Sequence, residues 1–179
     1  MSRRPSGLVL RAERPGHADD AAAIRAVHLA AFPTAAEADL VEAIRATPGF
    51  LPRLSLVAGL DDEVVGHLLL SYVTLETAHG DEEVLELAPM AVRPERQHEG
   101  IGSALVIAGL DAAEVREEPL VLVLGHPWFY PRFGFRPASA FGITPPRPVP
   151  EATFMVKPLT TYHRDLSGRV VLPPTFDGV

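Results

Sequence analysis

At 179 residues, with 47% apolar and 22% charged side chains, the chain has the size and composition of one globular domain with a sizeable core. It contains no cysteine, which excludes disulfides, thiolate metal sites and a cysteine nucleophile. Its net charge of −7 argues against sequence-independent nucleic-acid binding, which needs a basic face. Arg3 and Arg4 precede only Leu8-Val9-Leu10 before Arg11, too little for a signal-peptide core, and no apolar run reaches spanning length. The expectation is a cytoplasmic protein with neither a membrane nor a nucleic acid as partner.

Residues 8–14 read as a first strand. An alanine-rich segment to Phe32 follows, with Ile24, Val27, His28 and Ala31 at helical spacing and Asp19 or Asp20 as cap. Pro33 ends it. Residues 37–47 form a second helix with Leu40, Val41 and Ile44 on one face, stopped by Pro48-Gly49. Residues 54–60 and 64–77 make an antiparallel hairpin about Asp61-Asp62, and a turn at 78–81 leads to a strand over 82–93. A long helix over 97–117 carries Ile101, Ala104, Leu105, Ala108, Ala112 and Val115 as its buried stripe.

Leu120-Val121-Leu122-Val123-Leu124 is apolar at every position, which suits a strand covered on both faces. The strand–helix–strand unit before it implies a right-handed parallel crossover. A short helix over 128–133, strands at 134–136 and 152–159, proline-rich linkers around 144–150 and a last strand near 169–172 complete the chain.

The most informative stretch is Gln97-His98-Glu99-Gly100-Ile101-Gly102. A strand, a short glycine-bearing loop and a helix start place free backbone N–H groups and a partial positive charge where an anion can sit. Three phosphate-binding patterns compete for it. A Walker loop needs Lys-Ser/Thr after its last glycine, but Ser103-Ala104 follows Gly102. A dinucleotide fingerprint needs a third small residue where Leu105 stands. The pyrophosphate loop Gln/Arg-x-x-Gly-x-Gly/Ala of acyl-coenzyme A transferases is matched at Gln97, Gly100 and Gly102.

Here the chain resembles the GNAT N-acetyltransferase superfamily, and within it the YhbS-like branch. The stretch "LELAPMAVRPERQHEGIGSAL" is similar to its cofactor motif, and "VLVLGHPWFYPRFGF" to the following strand and short helix. Glu37 to Arg45 is similar to the branch's second helix. The resemblance implies an α/β (α+β) acyl-CoA N-acyltransferase fold: a mixed, mostly antiparallel sheet with two splayed central parallel strands and helices on both faces. It implies one N-acetyltransferase domain over 1–179, with 160–179 as a C-terminal extension.

The resemblance also implies acetyl-CoA as cosubstrate, with no metal. The pantetheine would pair with backbone groups around Met90, Ala91 and Val92. The pyrophosphate would take N–H bonds from Gln97, His98, Glu99, Gly100, Ile101, Gly102 and Ser103. Arg93 and Arg96 either meet phosphates or are solvated surface arginines.

Acetyl transfer needs a neutral amine. A lysine-like amine is free base in only about one molecule in a thousand at neutral pH, a handicap of roughly 4 kcal/mol that a base offsets. Glu86, eleven residues before Gln97, matches the general-base glutamate of the histone-acetyltransferase branch; the alternative is a structural carboxylate. Tyr130 matches the tyrosine that protonates or hydrogen-bonds the leaving thiolate; the alternative is a packing aromatic. A strand N–H near Met90 or Ala91 would meet the thioester oxygen. With no cysteine to carry an acyl group, the amine attacks directly in a ternary complex.

His28, on an apolar helix face, reads as a satisfied core histidine, and His126 as part of a turn before Pro127. The segment from Phe32 to Asp39, with Glu37, should line the acceptor side. The acceptor would be a small-molecule or peptide amine, and a homodimer is possible. A non-catalytic acyl-CoA sensor is the rival reading.

Overall fold

The computed structural model describes residues 5–14 and 16–177; Arg3 and Arg4 lie outside the described residues. In chain order the elements are strand β1 (Val9–Ala12), helices α1 (Ala18–Ala31) and α2 (Ala36–Arg45), and strands β2 (Ser55–Leu60), β3 (Glu63–Thr77) and β4 (Gly80–Val92). Helix α3 (Ile101–Val115) and strand β5 (Leu120–Leu124) follow. Strands β6 (Arg136–Pro137), β7 (Ile143–Thr144), β8 (Phe154–Pro158) and β9 (Gly168–Val171) close the chain. The pairs β1–β2, β2–β3, β3–β9, β5–β8 and β6–β8 are antiparallel, whereas β4–β5 and β7–β9 are parallel. The mixed, mostly antiparallel sheet is the one expected.

The chain forms two compact units. The first holds residues up to Leu70 and Pro89–Ala112; the second holds Ser71–Ala88 and Ala113–Asp177.

In the first unit β1, β2 and the start of β3 lie side by side with the end of β4. The β2–β3 turn is two residues long, with Asp61 (φ 52°) and Asp62 (φ 63°) both left-handed, the twist that a tight hairpin requires. Ile24 and Val27 of α1, and Leu40, Val41 and Ile44 of α2, are buried as their spacing predicts. The expected cap of α1 is not formed. His17 occupies that position without a side-chain bond.

Asp20 is instead 2% exposed and receives Arg11 at 2.6 and 2.8 Å, Arg14 at 2.7 and 3.2 Å, and the Arg14 backbone N–H at 3.0 Å. Several charge-assisted bonds outweigh one cap, and they hold its carboxyl far below the ordinary range.

Helix α3 begins at Ile101, the first residue of its apolar stripe and four residues later than the expected start at 97, because His98 (φ 65°) and Gly100 (φ 87°) take left-handed backbone. It packs closely on β3. A Cβ at Gly66 would lie 3.0 Å from Leu105 and 3.2 Å from Ile101, and one at Gly109 would lie 3.1 Å from Leu68. Both glycines therefore set the helix height over the sheet. Leu105, which spoils a dinucleotide fingerprint, is fully buried at this contact.

In the second unit β5 pairs with β8 over its whole length, Leu120↔Pro158 to Leu124↔Phe154. Four of its five residues are buried, as a two-faced strand should be, and only Leu124 emerges. Its parallel pairing with β4 is limited to Leu85↔Val121 and Glu86↔Leu122. The C-terminal segment supplies β9, whose Val171–Gly168 pairs with Thr74–Thr77 of β3. A Cβ at Gly168 would lie 1.9 Å from the Glu76 carbonyl oxygen, so this crossing admits glycine alone.

Candidate active site

The glycine loop and the strand end before it belong to the first unit. Arg93 anchors the end of β4, donating its backbone N–H to Val65 at 2.9 Å and its Nε to the Val64 carbonyl at 3.0 Å. A single 3-10 turn, Pro94–Arg96, follows, and the Gln97 side chain then donates to the Val92 carbonyl at 3.2 Å. Gln97 thus ties the loop back to the strand, which explains an amide at this position. The first bond of α3 runs from the Ala104 N–H to the Gly100 carbonyl at 3.0 Å. The N–H groups of Ile101, Gly102 and Ser103 precede it and have no partner within the helix.

Met90 and Val92 are half-buried and Ala91 is buried. Of the flanking cations, Arg96 meets Asp61 at 3.2 Å and Glu99 at 3.9 Å, and Arg93 meets Glu95 at 3.6 Å. Both arginines are held by protein acceptors.

Glu86 and Tyr130 lie in the second unit. Glu86 is 5% exposed, stands opposite Leu122 of β5, and its Oε2 has no protein partner. Burial pushes its carboxyl up to about 7, against the opposing charge of Arg147. Tyr130 begins the 3-10 turn Tyr130–Phe133 and is 6% exposed. Its ring is set edge-on between Phe129 (5.0 Å) and Phe135 (5.5 Å), and it fills the space left by Gly125, where a Cβ would lie 2.2 Å away. Burial raises its phenol well above the usual value. His126 makes the turn expected of it: its carbonyl accepts the Phe129 N–H at 3.0 Å and its ring stacks on Trp128 at 5.1 Å.

A polar chain in the core of the first unit has no signature in the sequence. Glu13 Oε1 accepts Arg45 Nε at 2.6 Å, and its Oε2 accepts the Ser55 hydroxyl at 2.5 Å. Ser55 Oγ meets His67 Nε2 at 2.8 Å, and His67 Nδ1 meets His28 Nε2 at 2.9 Å. His28 is therefore a core histidine, as its helix face implies, but it is satisfied at one nitrogen only. Its Nδ1 has no protein partner. Among the described residues no group of three His, Asp or Glu side chains could hold a metal ion, and no helix is long and apolar enough to cross a membrane.

A mixed sheet whose central parallel pairing stops after two residues, with a glycine-bearing loop and helix start after one of the parted strands, is the architecture of the acyl-CoA N-acyltransferase fold. Residues 52–137 match the acetyltransferase (GNAT) domain. The chain is 37% identical over 155 residues to the uncharacterized N-acetyltransferase YjhQ of Escherichia coli K12, covering 84% of this chain and 86% of that protein. It is 34% identical over 150 residues to the uncharacterized N-acetyltransferase YhbS of the same strain, covering 83% and 86%.

Among solved structures it superposes on E. coli YhbS in complex with CoA with a TM-score of 0.81 at 30% identity, over 98% of this chain and 95% of that one. A GNAT family acetyltransferase from Brucella melitensis in complex with acetyl-CoA gives 0.75 at 31% identity, over 95% and 98%. The chain belongs to the GNAT family of N-acetyltransferases.

Proposed function

We propose that this enzyme transfers the acetyl group of acetyl-CoA to a primary amine, which attacks the thioester directly. The observation that carries this reading is Glu86, a buried carboxyl with one unpartnered oxygen and a protonation midpoint near neutrality. That is the property a base needs to take a proton from an ammonium group at working pH. The relatives solved with CoA and acetyl-CoA support the donor. The residues fit such a donor: the left-handed backbone at Gly100 and the N–H groups of Ile101, Gly102 and Ser103 suit a pyrophosphate, and Met90, Ala91 and Val92 offer a strand end to a pantetheine arm. His98 and Glu99 would contribute through their backbone, whereas Gln97, whose own N–H donates to the Pro94 carbonyl at 3.3 Å, contributes by tying the loop to Val92 through its side chain.

Tyr130 would donate its hydroxyl hydrogen to the thioester sulfur. A thiol has a pKa near 8.5 and an ordinary phenol one near 10, and burial raises this phenol further. Complete proton transfer is therefore uphill, and Tyr130 acts as a neutral hydrogen-bond donor that eases departure of the thiolate. A backbone N–H at Met90 or Ala91 would stabilise the developing oxyanion.

Two measurements test the reading. Coenzyme A binding is followed by calorimetry, and free-thiol release from acetyl-CoA is followed across a panel of small and peptide amines. Tyr130→Phe is expected to lower kcat about tenfold, the worth of one hydrogen bond, with coenzyme A affinity unchanged. Coenzyme A binding without turnover on any amine would instead identify a sensor. Gly100→Val strains a left-handed position, a cost of about 1–3 kcal/mol, and is expected to weaken coenzyme A at least tenfold while the chain still folds cooperatively, its thermal midpoint lowered by about 2–10 °C. Unchanged affinity would remove the loop from the donor site.

A further inference from the structure

Among the described residues of the second unit, two buried side-chain atoms have no protein partner: Glu86 Oε2 and Ser71 Oγ. Glu86 is 5% exposed and Ser71 8%. They stand on neighbouring strands, β4 and β3. β3 ends at Thr77, β4 begins at Gly80, and Thr77 Oγ1 donates to the Gly80 carbonyl at 2.8 Å across the turn between them. A two-residue turn fixes the register of the hairpin it closes.

Six residues back from Thr77 is Ser71, and six residues on from Gly80 is Glu86. β3 is regular next to the turn, where Thr74–Thr77 pairs residue for residue with β9. Pro89, which has no N–H to give a ladder, lies beyond Glu86, so the register holds that far. Ser71 and Glu86 are therefore opposite each other on one face of the hairpin, with Cβ atoms about 4.5–5.5 Å apart. Tyr72 points to the other face, where its hydroxyl meets Glu118.

A serine held in a strand for structure bonds a nearby carbonyl, and Ser71 bonds none. A buried polar group without a protein partner takes a water or a ligand atom. The hydroxyl of Ser71 can donate, whereas an ionised Glu86 only accepts. One water completes both, accepting from Ser71 and donating to Glu86, and it keeps a lone pair for a further donor. An ammonium group cannot accept the serine hydrogen. Its charge would also meet that of Arg147, which already acts on Glu86. A neutral water meets neither obstacle.

We propose that Ser71 is a positioning residue of the proton-transfer step, holding a water against Glu86 through which the acceptor's proton reaches the carboxylate. One ammonium N–H bond breaks, and its electron pair stays on nitrogen for the attack on the thioester. The proton joins the water oxygen, and the water's own proton passes to Glu86 Oε2. Water is restored and Glu86 ends as a neutral acid. The proposal rests on the acetyl-transfer reading, with Glu86 as base, and adds the route by which the proton arrives.

A crystal structure of the full chain with coenzyme A bound is expected to show one ordered water within about 3.2 Å of both Ser71 Oγ and Glu86 Oε2. Kinetics then follow thiol release from acetyl-CoA with the panel amine that wild type turns over fastest. Ser71→Ala should lower kcat/KM for that amine about tenfold, the worth of one hydrogen bond, with coenzyme A affinity unchanged. Its urea midpoint should stay at or above wild type, because no protein bond is lost. Ser71→Thr keeps the hydroxyl and should restore activity. In a Glu86→Gln background Ser71→Ala should have no further effect.

No water shared by the two side chains, full activity in Ser71→Ala, or the same tenfold loss in the Glu86→Gln background overturns the proposal. Failure of the acetyl-transfer reading shows separately, as absence of coenzyme A binding or of thiol release in wild type, or as full activity in Glu86→Gln itself.

Discussion

Glu86→Gln is expected to lower kcat/KM by about 10²–10⁴-fold, the range that a positioned general base supplies, while coenzyme A affinity stays at the wild-type value. Gln has nearly the same shape and cannot take a proton. In wild type, kcat/KM should rise with pH through the Glu86 midpoint near 7, because only the carboxylate accepts the ammonium proton. The variant should lose that limb of the profile. Stability moves the other way.

Glu86 is protonated up to about pH 7 in the folded chain but only to about 4.5 when unfolded. Between those values the folded state binds more protons, so stability falls as pH rises, by about 3 kcal/mol in all. Glu86→Gln removes that loss. Its unfolding free energy should match wild type at pH 4 and exceed it at pH 8, as read from urea midpoints at the two pH values. An enzyme that gains stability at pH 8 and keeps full activity would show that Glu86 is a buried carboxyl without a catalytic part. One that loses activity with no pH-dependent gain would show that its carboxyl is not perturbed by burial.

The loop was legible because everything it needs is local: two glycines, an amide at 97, a strand before and an amphipathic helix after. Glu86 was legible for a related reason, as the one acid inside an otherwise apolar run from Val84 to Val92. Local pattern failed where distant groups compete. Asp20 looks like a cap until Arg11, nine residues earlier in the chain, takes it. Helix α3 starts at Ile101, where its apolar stripe starts, and not at 97, because left-handed backbone at His98 and Gly100 cannot belong to a right-handed helix. The polar chain was out of reach altogether. Ser55 lies 42 residues from Glu13, and His28 lies 39 from His67, and each residue alone reads as an ordinary strand or helix member. Only the packing of α1 and α2 against β1, β2 and β3 in the first unit gives them partners.

That chain also sets the second large effect. Glu13→Ala should destabilise the fold by about 3–5 kcal/mol, the cost of removing one member of a buried ion pair and leaving the other. This is a large share of the roughly 5–15 kcal/mol that holds a domain together. Glu13 is 4% exposed, and Arg45, whose Nη2 already lacks a partner, would lose its 2.6 Å carboxylate. The check is a shift in urea midpoint at unchanged slope. Glu13→Ala combined with Arg45→Met should recover part of the loss, because no unpaired charge remains; strict additivity of the two would deny the pair its role.

The same substitution reaches His28 without touching it. With Glu13 gone, the Ser55 proton is free to turn toward His67, whose hydrogen then moves to Nδ1. His28 must in turn accept at Nε2, and its other nitrogen becomes a donor. A nitrogen-15 spectrum of Glu13→Ala showing His28 protonated on Nδ1 would demonstrate that the carboxylate sets the polarity of the chain. An Nε2–H tautomer surviving in the folded variant would place that control elsewhere.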